Sequence, residues 1–142
     1  MIYAVIDTKV LVSALLSKNK ASATVKVYDA IADGTIIPLY NKEIIEEYED
    51  VPHGKKFGFD KKRVSNLLSM TIKYGVEVFP RSTGAIFDDM DDLVFYEVVM
   101  EKLEDNSYLV TGNIKHYPER SFIVTPDEMM GIITGGAKNA QQ

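Results

Sequence analysis

The chain has 142 residues, of which 46% are hydrophobic, and this size and composition predict a single globular domain with one core. It contains no cysteine, which excludes a disulfide framework and a thiolate metal site, so that a bound metal ion must have oxygen or imidazole ligands. The formal net charge of -5 argues against a protein that binds nucleic acid through a general basic excess.

The apolar stretches of the sequence are too short for a membrane protein. The two longest are Ala4–Leu16 and Leu93–Met100, and each is either interrupted by charge or far below the roughly 20 apolar residues that span a bilayer. The chain also enters a strand-like run directly after Met1, without the basic region of a secretory leader. We therefore expect no membrane span and a cytoplasmic location.

Short apolar strands alternate with amphipathic helices along the whole chain. The predicted strands are Ile2–Ile6, Thr35–Leu39, Val76–Phe79, Ser107–Val110 and Ser121–Val124. The predicted helices are Lys9–Leu16, Ser22–Ala32, a helix capped by Asn41 that reaches Glu49 or Asp50, Asp60–Tyr74, a helix capped by Asp89 that reaches about Glu104, and a short helix that opens at Thr125–Glu128. This alternation predicts an α/β fold, a three-layer α/β/α sandwich with a mainly parallel central sheet. We place the domain at residues 1–131 and expect residues 132–142 to form a flexible C-terminal tail.

The first candidate site residue is Asp7, which follows directly after the first strand and precedes Thr8. In parallel α/β sheets, ligands bind beyond the carboxyl ends of the strands, where the strand order reverses. We therefore expect a residue in this position to have a functional role. Position alone equally allows Asp7 to be the N-cap of the next helix.

Two further acids are predicted to face the protein. In NKEIIEEYED, Glu47 borders the apolar face that contains Ile44 and Tyr48, whereas the other acids of that helix point toward water. In FDDMDDLVFYEVVMEKL, Asp92 precedes Tyr96 by four residues and Val99 by seven, which places it on the core-facing stripe. Asp92 therefore needs a partner.

Three carboxylates near one sheet edge predict a metal site, if the elements that carry them are neighbours. Like charges so close cannot all stay ionised unless cations neutralise them. Hard oxygen ligands without cysteine select Mg²⁺ or Mn²⁺, and such ions support phosphodiester hydrolysis. The polar turn Thr111–Asn113 follows another strand, but a tight turn explains it equally well.

Six segments in order resemble the PIN domain, especially the branch of toxins from toxin–antitoxin systems. They are DTxVLVSALL, EIIEEY, KFGF, DxDDxVFYE, LVTGN and IVTP, and the resemblance runs from Ile2 to about Met130. It implies a Mg²⁺- or Mn²⁺-dependent ribonuclease with an RNA substrate, a cognate antitoxin protein and a homodimeric state.

The resemblance also implies roles for individual residues. The family's three main acidic places fall on Asp7, Glu47 and Asp92, which would be both catalytic and metal-binding. Asn113 would be the fourth catalytic residue and would orient a water. Supporting roles are implied for Asp89, Thr111 and Thr8.

The sequence departs from the family pattern at two places. Lys9 occupies the place of an asparagine, and its ammonium group would compete with a metal ion for the carboxylates. Pro52-His53-Gly54 would end a helix that relatives continue, with loss of an arginine. The resulting hypothesis is a nuclease weakened by Lys9 and by Pro52-His53-Gly54. The alternative is a catalytically inactive PIN-like module that binds RNA or protein.

Other features allow more than one interpretation. A receiver domain would need an acidic pair after the first strand and a lysine after the last, and the chain offers only Asp7. His116 is interpreted as a surface residue, and Tyr117 as a loop aromatic that could stack on a base. A basic segment is either an RNA contact or a solvated helix entry, and its residues are Lys55, Lys56, Lys61, Lys62 and Arg63.

Overall fold

A computed structural model describes residues 2–50 and 61–139 of the chain, with side chains described for 2–50 and 62–135. The five strands in these two ranges are β1 (Ile2–Ile6), β2 (Ile36–Tyr40), β3 (Val76–Glu77), β4 (Tyr108–Val110) and β5 (Ile123–Val124). The six α-helices found there are α1 (Thr8–Leu16), α2 (Ala23–Ala32), α3 (Lys42–Asp50), α4 (Lys61–Tyr74), α5 (Leu93–Glu101) and α6 (Pro126–Asn139). None of the helices in this part of the chain is long and apolar enough to cross a bilayer.

The strands form one parallel sheet in the order β3-β2-β1-β4-β5. The chain builds the sheet outward from β1 through β2 to β3, and then returns to the other side of β1 to add β4 and β5. The strand order therefore reverses between β1 and β4, and the carboxyl ends of these two strands form the crevice in which such folds bind ligands. The predicted three-layer α/β/α fold with a parallel sheet is confirmed.

Side-chain caps mark the starts of two helices, of which the Asn41 cap was predicted and the Ser22 cap was not. The Asn41 Oδ1 atom accepts a hydrogen bond of 2.9 Å from the Ile44 N–H at the start of α3. The Ser22 Oγ atom accepts one of 3.4 Å from the Val25 N–H at the start of α2. Each cap satisfies a backbone donor that the first turn of a helix leaves without a partner, which stabilises the helix at that position.

The core lies between the central strands and the helices that cover them. In β1 the last three residues, Ala4–Ile6, are at most 1% exposed, and Leu109 and Val110 of β4 are fully buried. Helix α5 contributes Phe95, Val98 and Val99, all at most 2% exposed, and contacts both β1 and β4. Burial of these branched side chains fixes the ends of β1 and β4 side by side.

Gly75 joins α4 to β3 at a position with no room for a side chain. A Cβ atom there would lie 2.3 Å from the Thr71 carbonyl oxygen and 2.5 Å from that of Pro38, and both are backbone atoms that cannot move aside cheaply. The glycine therefore allows the end of α4 to pack directly against β2.

Two predicted helices differ from the structure. The helix expected from Asp89 to about Glu104 is a 3₁₀ turn at Met90–Asp92, then α5, then a second 3₁₀ turn at Leu103–Asp105. Asp89 caps the first turn, because its side chain accepts a 3.0 Å hydrogen bond from the Asp91 N–H. That bond closes a tighter turn than an α-helical start.

The expectation of a short final helix is wrong. Helix α6 runs from Pro126 to Asn139 and includes part of the segment that the sequence assigned to a flexible tail. Ile132 and Ile133 pack against the core, so the helix has an apolar contact to hold it beyond its first turns. The domain boundary at residue 131 stays a prediction.

Candidate functional site

Asp7 lies at the reversal point of the sheet, where β1 ends. Its backbone N–H donates to the Val110 carbonyl at the end of β4 over 2.9 Å, and its side chain is 5% exposed. The Oδ1 atom accepts a hydrogen bond of 3.3 Å from the Lys9 N–H, which makes Asp7 the N-cap of α1. The structural role and the functional position that the sequence left open therefore coincide in one residue.

Two buried hydroxyl groups hold the other oxygen of Asp7. The Thr111 Oγ1 atom donates to Asp7 Oδ2 over 2.9 Å, and the Tyr117 hydroxyl donates to the same oxygen over 3.3 Å. Thr111 is fully buried, and its Oγ1 atom also accepts a 3.0 Å hydrogen bond from the Asn113 N–H. The turn that follows β4 is thus bound directly to the carboxylate that follows β1.

Tyr117 binds Asp7 and lies near Asp92, a position that sequence reasoning missed. Burial and the charges of Asp7 and Asp92 raise the pKa of the tyrosine, whose hydroxyl group donates its hydrogen to Asp7 and lies near Asp92. The ring is 6% exposed, so it is not the open loop aromatic that base stacking would need. The strand order could have indicated this contact, because the segment after β4 lies at the sheet edge where β1 ends.

Asp92 is the second buried carboxylate of the site. It ends the 3₁₀ turn before α5 and is 8% exposed, as its predicted position on the core-facing stripe requires. Burial raises its pKa, the charges of Asp7 and Asp89 raise it further, and His116 and Lys9 act in the opposite direction. Carboxylates in this environment favour a proton or a cation.

His116 is the second residue whose contact the sequence did not predict. Its Nδ1 atom lies 3.5 Å from Asp92 Oδ2, while about half of its side chain is exposed. The predicted surface position is therefore correct, but the ring also faces the site. No sequence spacing marked it, because the contact depends on the 3₁₀ turn at Ile114–His116.

Glu47 lies in a cleft beside this pair of carboxylates. The cleft is lined by α3 and by the start of α5, and it also contains Asp50 and Asp91. Partial burial raises the pKa of Glu47, followed by the charges of Asp91, Asp50, Asp89 and, last, Asp7. The two strongest of these charges, Asp91 and Asp50, line the same cleft as Glu47.

Lys9 is at the edge of the site. Its side chain is exposed, and within residues 2–50 and 61–139 it forms no ion pair with a carboxylate. Its charge still acts on Asp92, as the last of the influences on the pKa of that residue. The ammonium group therefore does not fill the space between Asp7 and Asp92.

The remaining predicted residues occupy different positions. Asp89 is exposed and caps a 3₁₀ turn, and Asn113 is half-buried and bonds Thr111 through its backbone. Thr8 lines a small apolar cavity beside α4, and its buried Oγ1 atom has no hydrogen-bond partner among the described residues. Tyr48 donates a 2.6 Å hydrogen bond to the Ile6 carbonyl, which fixes α3 beside the end of β1.

The predicted basic segment lies only partly within the described residues. Lys55 and Lys56 fall outside them, as do Pro52-His53-Gly54, and Lys61 is the first residue of α4. Lys62 and Arg63 are exposed. The Arg63 Nη1 atom donates to the Leu15 carbonyl over 3.1 Å, at the end of α1 remote from Asp7. In this contact the Arg63 side chain caps the C-terminal end of α1.

The donor set fits a metal ion that takes few protein ligands. No three His, Asp or Glu side chains among the described residues are placed to hold an ion together, so the predicted convergence of Asp7, Glu47 and Asp92 is not seen in this arrangement. Asp7 and Asp92, however, are hard oxygen donors on either side of one hydroxyl group. Mg²⁺ commonly binds to one or two carboxylates and completes its shell with water and substrate phosphate.

The sequence profile of the PIN domain matches residues 3–115, which is most of the chain and includes Asp7, Glu47 and Asp92. The chain belongs to the PIN domain family. No curated protein matches it significantly.

A solved structure agrees with the fold of this PIN domain. A chain in the crystal structure of VapBC2 from Rickettsia felis, bound to a DNA fragment from their promoter, superposes with a TM-score of 0.50 at 15% sequence identity. The match covers 87% of this chain and 97% of that chain. At this identity the likeness concerns the fold alone.

Proposed function

We propose that this PIN domain is a Mg²⁺- or Mn²⁺-dependent ribonuclease whose centre is the carboxylate pair Asp7 and Asp92. The observation that carries the proposal is the burial of two carboxylates around one hydroxyl group at the reversal point of the sheet. Such a pair has an unfavourable charge that a divalent cation would neutralise. When bound, the ion would polarise an RNA phosphate and lower the pKa of a water molecule.

The side chains around the pair have distinct roles in this proposal. Asp7 and Asp92 would hold the ion, and Thr111 holds Asp7 through its hydrogen bond. Glu47 would act from the adjacent cleft, where its charge adds to the field that attracts cations. Asn113 would contribute its side-chain amide from the turn after β4, and Asp89 and Thr8 would shape the two flanks.

We further propose that the chain is the toxin of a toxin–antitoxin pair in the cytoplasm. The family match and the fold shared with a chain of VapBC2 support this proposal. It implies a cognate antitoxin protein as partner and a homodimer. In this proposal Lys9 weakens the affinity for the metal ion without abolishing it, because its ammonium group is exposed and forms no ion pair with Asp7 or Asp92 among the described residues.

The test is cleavage of total cellular RNA by the purified full-length chain. We expect cleavage with Mg²⁺ or Mn²⁺, no cleavage with excess EDTA, and at least about 100-fold less cleavage by Asp7→Asn with either ion. Absence of metal-dependent cleavage by the unmodified chain would overturn the proposed activity.

The second candidate function is a catalytically inactive module that binds RNA or protein. It is favoured by the lack of three convergent metal-binding side chains among the residues described and by the nearby charge of Lys9. Mn²⁺ titration separates the two functions, because an inactive module should bind Mn²⁺ no better than its Asp7→Asn variant does.

A further inference from the structure

Tyr117 is a buried residue that donates a hydrogen bond to Asp7 and lies near Asp92, and it is outside the segment matched to the PIN domain, which ends at residue 115. We propose that Tyr117 is a positioning residue, which orients the Asp7 carboxylate so that its Oδ1 atom is the oxygen offered to a divalent cation. This inference rests on the proposed function, because it assigns a role toward the same metal ion.

The hydrogen bonds of Asp7 divide its two oxygens into different classes. Oδ2 accepts one hydrogen bond from Thr111 and one from Tyr117, so both of its lone pairs are engaged. Oδ1 accepts a single hydrogen bond, from the Lys9 N–H. Oδ1 therefore keeps the lone pair that a cation needs.

The Tyr117 hydroxyl group adds a third donor to a carboxylate that Lys9 and Thr111 already hold. The terminal torsion of an aspartate side chain is broad, so each further donor narrows the range of planes that the carboxylate can adopt. Thr111 is the closer donor, at 2.9 Å, and Tyr117 at 3.3 Å approaches from a different segment of the chain. With the Lys9 N–H on Oδ1, these two donors on Oδ2 restrict both the position and the plane of the group.

Packing holds the Tyr117 ring in the position that this role requires. The ring meets Phe87 edge-on, with centroids 5.6 Å apart and planes at 71°. Phe87 also packs against Tyr96, at 5.4 Å, so one phenylalanine supports two buried tyrosines. Within the described residues, only Tyr117 of this pair donates a hydrogen bond to Asp7.

This pair of tyrosines supplies a matched test. Tyr117→Phe keeps the ring on Phe87 and removes the hydroxyl group, and Tyr96→Phe makes the same chemical change on the other side of Phe87. We expect Tyr117→Phe to bind Mn²⁺ about tenfold more weakly in a calorimetric titration of the full chain, the scale typical of groups that orient a ligand. Tyr96→Phe should bind it as the unmodified chain does.

Crystal structures of the unmodified chain and both variants give a readout that does not depend on metal. The Asp7 carboxylate should turn about its terminal torsion in Tyr117→Phe and keep its orientation in Tyr96→Phe. An unchanged Asp7 in Tyr117→Phe, or an equal loss of Mn²⁺ affinity in both variants or in neither, would overturn the proposal. If the unmodified chain binds no Mn²⁺, the proposed function fails, and the orientation of Asp7 alone decides the role of Tyr117.

Discussion

Two groups of acidic side chains lie next to each other in this protein and differ in almost every physical respect. At the edge where β1 and β4 end, Asp7 and Asp92 are buried and both lie near the Tyr117 hydroxyl group. Along α3 and the turn before α5, acids such as Glu46 and Asp91 are exposed, and Glu47 is half-buried among them. In the first group, neutral donors hold Asp7 and the His116 ring lies beside Asp92, whereas the second group is largely solvated.

This difference indicates which acidic side chains of the fold are suited to bind a metal ion. A carboxylate is costly to bury without partners, so each oxygen of Asp7 is engaged by a donor that the protein supplies. Such engagement fixes the geometry before a cation arrives. An exposed acid on a helix surface has no such constraint and acts mainly through its charge.

The largest effect should come from Asp7. We expect Asp7→Asn to lower metal-dependent RNA cleavage by at least about 100-fold, because loss of a group that merely orients a ligand already costs about 10- to 100-fold. Glu46→Gln, which neutralises an exposed acid of α3, is the matched control and should retain activity. Equal losses in both variants would remove the distinction between the two groups of acids.

Substitution of Asp92 should raise the stability of the metal-free protein and lower its RNA cleavage. Its raised pKa means that, in the metal-free protein, the folded state binds a proton more readily than the unfolded state does. The free energy of unfolding should therefore fall as the pH rises from the ordinary range of an aspartate through the raised pKa. Asp92→Asn removes this penalty at neutral pH while it removes a ligand.

We expect Asp92→Asn to raise the Tm of the metal-free protein at neutral pH by about 2–4 °C, the shift that about 1 kcal/mol produces in a chain near this size. RNA cleavage should fall at the same time by about 100-fold or more, as for Asp7→Asn. Thermal unfolding followed at several pH values, with EDTA present, is the measurement. A lower Tm for Asp92→Asn at neutral pH would contradict the account of a buried, unfavourable charge.

The fold could be predicted from the sequence because its signals are local. The alternation of apolar strands and helices, and caps such as Asn41 and Ser22, depend on neighbours a few residues apart. The position of Asp7 was predictable for the same reason, since a strand end can be read directly. Helix α6 was underestimated because glycines near its end gave a signal for disorder, while its contacts with the core are remote in sequence.

The site was only partly predictable because its contacts join distant segments. The hydrogen bonds of Asp7 with Thr111 and Tyr117 span 104 and 110 residues, and no periodicity reports such a pairing. Helical geometry correctly separated Glu47 and Asp92 from their neighbours, since both are more buried than the adjacent acids. It could not tell that α3 and the turn before α5 place these two residues in different surroundings.

Substitution of Glu47 tests whether this residue acts as a metal ligand, like the buried acids, or only through its charge, like the exposed ones. If it acts through its charge from the cleft, Glu47→Gln should lower RNA cleavage by about fivefold or less, because a partly solvated charge that binds no ion directly contributes about 1 kcal/mol. The decrease should also shrink at high salt, which screens such an interaction. A loss as large as that of Asp7→Asn would instead make Glu47 a direct ligand, and would mean that α3 moves toward Asp7 when the ion binds.

The smallest effect should come from Lys9, whose side chain is exposed at the rim of the buried pair. Lys9→Asn removes a positive charge that acts weakly on Asp92, so the Mg²⁺ concentration for half-maximal cleavage should fall by about two- to threefold, within the range of an exposed charge. Lys26→Asn, an equivalent change on the exposed side of α2, is the control and should leave that concentration unchanged. A gain of 100-fold or more in Lys9→Asn would mean that the ammonium group occupies the metal position in solution, and the chain would then be a nuclease blocked by its own lysine.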